Sequence, residues 1–324
     1  LVREWSVIVT KGIEAANARN PLAGGFPINL RFLRLAFAAL ALALAAGGDA
    51  MAQKADAAAG RNAKAGGSEP RLNLAINEGG AANADYSETL FRFQEFAELI
   101  EKTLNLKIAV VGARDRNRLK ENLKARAYQL LLARPNDVPA EAVRDFGYQV
   151  IATAKEPSQT WFVVMHDSPL RTIADVKGRT IVTPDQYSNM WRVASAMLRD
   201  NKIDMSREQV KSMRDQAAIG WSLQSGFYEV GVLNSISGVA RTWEKNGGRV
   251  IAKSRDLPNM PFIASPEVSS AQVAKLRAAV VNLDQTEPGR AILKKIGLTG
   301  FQETPNKALL DFLAWIGDLE VKQP

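Results

Sequence analysis

Residues 179–201 read RTIVTPDQYSNMWRVASAMLRDN. Thr180 to Thr183 reads as a short buried strand, and Pro184 and Asp185 break it. Met190, Val193, Ala194, Met197 and Leu198 then recur at helical spacing and form one apolar face. Between strand and helix lies a polar loop, Asp185-Gln186-Tyr187-Ser188-Asn189. The first N–H groups of a helix lack intrahelical partners and carry the positive end of its dipole. An anion docks there readily, with Ser188 and Asn189 as further donors. The simpler alternative is that Asp185 or Ser188 merely caps the helix.

The same strand–loop–helix rhythm runs outward in both directions. Upstream, strands are expected at Arg71 to Ile76, Lys107 to Val111, Tyr128 to Ala133, Tyr148 to Lys155 and Thr160 to Val164. Helices are expected through Phe93, Phe96, Ala97 and Ile100, at Asn117 to Ala127 and at Ala140 to Phe146. Downstream come a helix at Ala217 to Leu223, a strand at Glu229 to Leu233, a helix at Val239 to Asn246 and a strand at Arg249 to Ala252. Ser265 and Pro266 have the form of a cap and first residue for a long helix through Asn282. Two more helices follow, near Pro288 to Ile296 and Asn306 to Ile316. Strands alternating with helices argue for an α/β fold with mostly parallel sheets. Ligands of such sheets bind at the carboxyl ends of strands, here Asn77-Glu78, the loop after Val111, and Arg134-Pro135-Asn136.

The 324 residues are 46% hydrophobic and 23% charged, ordinary for a globular chain long enough for two domains. The net charge of +8 is spread without a dense basic run, so it favours an anionic ligand over nucleic acid. Cysteine is absent and His166 is the single histidine, which excludes disulfides, thiolate sites, cysteine nucleophiles and most histidine metal clusters. No GxSxG, HExxH, GxxxxGK[ST] or GxGxxG occurs, so no enzyme and no cofactor is expected.

Arg31 and Arg34 precede an apolar run, Leu35 to Ala46, followed by a small-residue end at Ala50-Met51-Ala52. This is the pattern of a secretory signal peptide cleaved after Ala52, and the run is too short for a bilayer, which needs about 20 apolar residues. Residues 53–70 read as a flexible, low-complexity lead-in. The folded part is expected to begin near Arg71 and to work in the periplasm.

DSPLRTIADVKGRTIVTPDQYSN (167–189) resembles the "DSGI…DLKGK…DPxSTSG" stretch of the periplasmic phosphate/phosphonate-binding proteins of ABC importers. QAAIGWSLQSGFYEVG (216–231) is similar to that family's "HDAA…V…G..DAG" segment, and AILKKIGLTGFQE (291–303) to its "L…G..GF". The resemblance covers about residues 71 to 320. It implies a type II periplasmic-binding-protein fold, with two lobes closing around a ligand by hinge motion. Lobe 1 would be residues 71–166 and 260–320, and lobe 2 residues 167–259. By alignment with the family's motifs, the resemblance points to Gln186, Tyr187, Ser188 and Asn189 at the helix start. It also points to Gln216 in place of a histidine and to Glu229 in place of an aspartate. Tyr86 would stand in for a tyrosine replaced by Phe93. The partners it implies are a small anionic ligand and an ABC permease, or a sensor kinase if the module serves signalling. A monomer is expected, with no metal. His166 is read as a hinge or surface residue, since no orienting carboxylate or nucleophile motif accompanies it.

Overall fold

The structure, a computed structural model, describes residues 71–79, 86–113, 115–134, 136–185, 188–204, 209–213 and 215–317. The expected signal peptide and lead-in lie outside these residues, as do Gln186 and Tyr187.

The chain first lays down β1 (Arg71–Asn77), α1 (Tyr86–Leu104), β2 (Lys107–Gly112), α2 (Arg116–Lys124), β3 (Leu130–Ala133), α3 (Asp137–Phe146) and β4 (Gln149–Ser158). Phe93, Phe96, Ala97 and Ile100 form the buried stripe of α1, as their spacing requires. β1 pairs in parallel with both β2 and β3, Leu74 lying opposite Val110 and Leu130. After Gln159 the chain enters a second sheet through β5 (Thr160–Met165), β6 (Ile181–Thr183), α4 (Asn189–Asp200) and β7 (Val210–Ser212). It continues through α5 (Gln216–Gln224), β8 (Val230–Asn234), α6 (Gly238–Thr242) and β9 (Gly248–Lys253). β6 is parallel to β7 and β8, Ile181 lying opposite Val210 and Val230. The chain returns through β10 (Leu257–Ala264), α7 (Ser270–Val281), α8 (Glu287–Lys295), β11 (Phe301–Gln302) and α9 (Asn306–Ile316).

The first sheet has the order β11-β4-β10-β3-β1-β2 and the second β7-β6-β8-β5-β9. Three parallel strands form one end of each sheet, β3-β1-β2 in the first and β7-β6-β8 in the second, and the crossing strands β10 and β5 pair antiparallel with β3 and β8. This moves the expected lobe boundary. The strand at Thr160–Met165, read from the sequence as part of lobe 1, pairs with β8 and β9 in the second sheet. The return strand already joins the first sheet at Leu257, opposite Ser158. The crossings are therefore at Gln159 and at residues 254–256. An apolar strand pattern fixes the strand but not the sheet it joins.

The long helix expected from Ser265 starts later. Ser269 and Gln272 form a reciprocal capping box that sets the start of α7 at Ser270. Ser265 instead closes a tight turn, accepting from the Glu267 N–H at 3.1 Å. The helix after β8 is also shorter than expected. It ends at Thr242, and Trp243, 1% exposed, packs against the backbone of Gly248. A Cβ at Gly248 would lie 2.3 Å from the indole ring, so glycine permits that approach.

One hydrophobic cluster runs through both sheets. It joins Leu131 and Val143 of the first part to Phe162, Val193 and Met197 of the second. The inner face of α9, Leu309, Phe312, Leu313 and Ile316, belongs to the same cluster. Its apolar residues at i, i+3, i+4 and i+7 bury one stripe. The last helix thus covers the seam between the αβ units.

Candidate functional site

The carboxyl ends of the parallel strands define the ligand side of each sheet. In the first sheet these ends are Asn77 and Glu78 after β1 and Arg134 after β3. The Arg134 N–H donates to the Asn77 carbonyl at 2.7 Å, and the Gly79 N–H donates to Asn77 Oδ1 at 2.8 Å. The two strand ends are thereby held side by side. Glu78 pairs with Arg92 from the second turn of α1. Burial holds the Arg134 guanidinium below its ordinary range. Glu78 opposes that shift, Arg241 and Arg92 add to it, and Glu156 on β4 works against it. Arg241 lies on α6 of the second αβ unit, so the cluster is drawn from both sides of the molecule.

Sheltered polar atoms without a protein partner gather at these ends. They are Arg134 Nε and Asn136 Nδ2 after β3, Arg92 Nε on α1, Thr183 Oγ1 at the end of β6 and Asn189 Oδ1 at the start of α4. Glu156 Oε2 is another. Buried polar groups are nearly always hydrogen-bonded; other exceptions, such as Arg126 Nη1 and Asp284 Oδ1, lie elsewhere, so these atoms point to a ligand only together with the local charge. Three guanidiniums and two carboxylates leave the cluster one positive charge in excess. It is suited to hold an anion through charge-assisted, multidentate hydrogen bonds.

The residues expected from the sequence divide. Ser188 is the N-cap of α4: its Oγ accepts from the Trp191 N–H at 3.2 Å and donates to the Asp185 carbonyl at 2.6 Å. Asn189 is the first residue of that helix. Gln216 opens α5, and its carboxamide oxygen accepts from the Asn234 N–H at 2.8 Å, at the carboxyl end of β8. Ser188, Asn189 and Gln216 therefore stand on the ligand side of the second sheet. Glu229 does not. It precedes β8 and forms an exposed ion pair with Arg179, 3.0 Å, just before β6. Because β6 and β8 are parallel, that pair lies at the amino ends of both strands. Tyr86 opens α1, and its side chain lies outside the described atoms. Arg92, Glu156 and Arg241 were not signalled by any local pattern. Glu78 and Arg134 were marked only as strand ends. Among the described residues no group of histidine, aspartate and glutamate is arranged to hold a metal ion, and no helix is long and apolar enough to cross a membrane.

The family described as "ABC transporter, phosphonate, periplasmic substrate-binding protein" matches residues 81–309 of the 324. The chain belongs to that family. As a member of the phosphonate-binding family it is a periplasmic substrate-binding protein of an ABC transporter, which implies a small-molecule ligand and a permease partner. Solved structures share its fold. XAC2383 from Xanthomonas citri bound to ATP is 12% identical with a TM-score of 0.60, covering 76% of this chain and 96% of its own. PhnD1 from Prochlorococcus marinus in complex with methylphosphonate is 14% identical with a TM-score of 0.56, covering 74% and 95%. A binding-protein component of an ABC phosphonate transporter (PA3383) from Pseudomonas aeruginosa is 16% identical with a TM-score of 0.55, covering 75% and 84%. No curated protein sequence matches the chain.

Proposed function

We propose that this phosphonate-binding-family protein takes one small oxyanion into the cleft between its lobes and hands it, chemically unchanged, to an ABC permease. Arg134 is the principal anchor, with Arg92 and Arg241 beside it. The observation that carries this reading is the sheltered, unpartnered Arg134 Nε at the carboxyl end of β3, in a cluster with one positive charge in excess. The methylphosphonate held by the Prochlorococcus relative supports an oxyanion as the ligand class. On the second lobe the start of α4 supplies backbone N–H groups and Asn189, while Ser188 shapes that start by capping it. Gln186, Tyr187, Gln216 and Tyr86 complete the rim, whereas Glu229 has no part in it. The protein acts as a monomer in the periplasm, exported by a signal peptide cleaved after Ala52.

A thermal-shift panel tests the reading on residues 53–324. It contains phosphate, phosphite, methylphosphonate, aminoethylphosphonate, sulfate, carboxylates and amines. A ligand at about a hundred times its dissociation constant adds about 2.7 kcal/mol of stability. The expected result is a selective upward shift with one or more oxyanions. A shift with the amines alone would overturn the anion reading.

A further inference from the structure

The ladder between β4 and β10 breaks beside the charged cluster. Pro157 and Pro258 have no N–H to give to it. Leu257 lies opposite Ser158 and Asn259 opposite Ala154, so Lys155, Glu156 and Pro157 face Pro258 alone. This is a bulge, a device that re-aims a side chain. Lys155 is exposed and pairs with Asp284, while its neighbour Glu156 is half-buried. Asn259, 4% exposed, donates to the Glu156 carbonyl at 2.9 Å. Met260 follows with a φ of 46°, left-handed backbone that costs a non-glycine residue energy and gathers at ligand clamps. β4 and β3 are both antiparallel to β10, so Glu156 stands at the same end of the sheet as Arg134. Its charge is close enough to act on Arg134.

Two sheltered acceptors of this bulge have no donor, Glu156 Oε2 and Asn259 Oδ1. Asn189 Oδ1 at the start of α4 is a third. An oxyanion with neither a bound proton nor an amino group offers only acceptors. It leaves these oxygens unmet, and the carboxylate repels it. We propose that Glu156 is a specificity-determining residue that admits oxyanions bringing a hydrogen-bond donor, a P–OH or an N–H, and rejects those that bring none. This inference rests on the anion reading above and narrows it. The arginines hold the charge of the solute, and the bulge reads whether the solute also carries a proton to share.

Four matched ligands test it: methylphosphonate, methanesulfonate, aminoethylphosphonate and aminoethanesulfonate. Isothermal titration is run below the second ionisation of the phosphonates, so that every oxyanion group carries a single negative charge. Methanesulfonate, which has no donor, should bind wild-type protein about ten- to a hundredfold more weakly than the tightest of the four, the range for one hydrogen bond to a charged group. Two tight phosphonates identify the donor as P–OH, and two tight amino compounds identify it as N–H; both outcomes support the proposal. In Glu156→Gln the carboxamide offers an N–H to an acceptor. Methanesulfonate should then gain affinity while the tightest ligand does not, and the ratio should collapse. A uniform change for all four in Glu156→Gln would mean that Glu156 only trims the positive charge, and the proposal fails. Equal binding of all four to wild type sinks this inference and leaves the anion reading intact. If none binds the folded wild type, the anion reading falls and takes this inference with it. Should Glu156→Gln not fold, the wild-type ranking still decides, together with Glu156→Asp, which withdraws the carboxylate by one carbon and should shrink the ratio.

Discussion

Arg134 and Tyr148 show how burial sets the chemistry of single residues here. Desolvation penalises the Arg134 charge, and Glu78 compensates only in part, which leaves a cation ready for an external anion. Tyr148 is 1% exposed, and burial pushes its phenol up to about 12, with Arg126 opposing. Its hydroxyl donates to the Tyr128 carbonyl at 2.6 Å and faces the Leu123 carbonyl at 3.2 Å, bonds available only to the protonated form. In the unfolded chain the phenol ionises near about 10. The folded pKa is therefore raised: the contribution is fully present below about pH 10 and disappears as pH rises toward about 12. Urea unfolding from pH 8 to 12 should show this loss, and Tyr148→Phe should remove that part of the pH dependence. Identical pH profiles for the two proteins would refute the assignment. Residue roles were only partly legible in the sequence. Glu229 precedes β8 in an acidic position the family shares, but the parallel pairing of β8 with β6 puts it at the far end of the sheet. Arg92, Glu156 and Arg241 meet Arg134 only through tertiary folding, and no local spacing signals that.

At the scale of the element, α4 illustrates a reading that was open from sequence and is decided by geometry. Ser188 bonds the Trp191 N–H and the Asp185 carbonyl, so its hydroxyl is committed to starting the helix. Ser188→Ala should lower stability by about 1 kcal/mol, the usual cost of losing a cap. Urea unfolding at neutral pH measures it. An unchanged midpoint with a large loss of anion affinity would return the hydroxyl to the ligand. Element positions were legible wherever an apolar stripe was long, as in α1 and α9. They slipped where one short contact decides: the Ser269–Gln272 box moves the start of α7, and Trp243 against Gly248 cuts α6 short. The two-residue strand β11 is held by pairing with β4 and carries too little pattern to be seen.

At the scale of the whole molecule, two αβ units are joined by two crossings and sealed along one edge by α3, α4 and α9. The alternation of strands and helices announced this architecture, because each unit repeats the same local rhythm. The interlobe edge was not announced, because Arg192 lies 55 and 51 positions along the chain from Asp137 and Glu141. The cluster around Arg134, with one cation in excess, keeps a charge for the solute. Isothermal titration of wild-type protein and Arg134→Met, with the oxyanion that gives the largest thermal shift, tests that claim most directly. Loss of a hydrogen bond to a charged group costs about 1.5–3 kcal/mol, so the dissociation constant should rise roughly ten- to a hundredfold with the fold intact. Unchanged affinity in Arg134→Met would contradict the account and place the anion elsewhere.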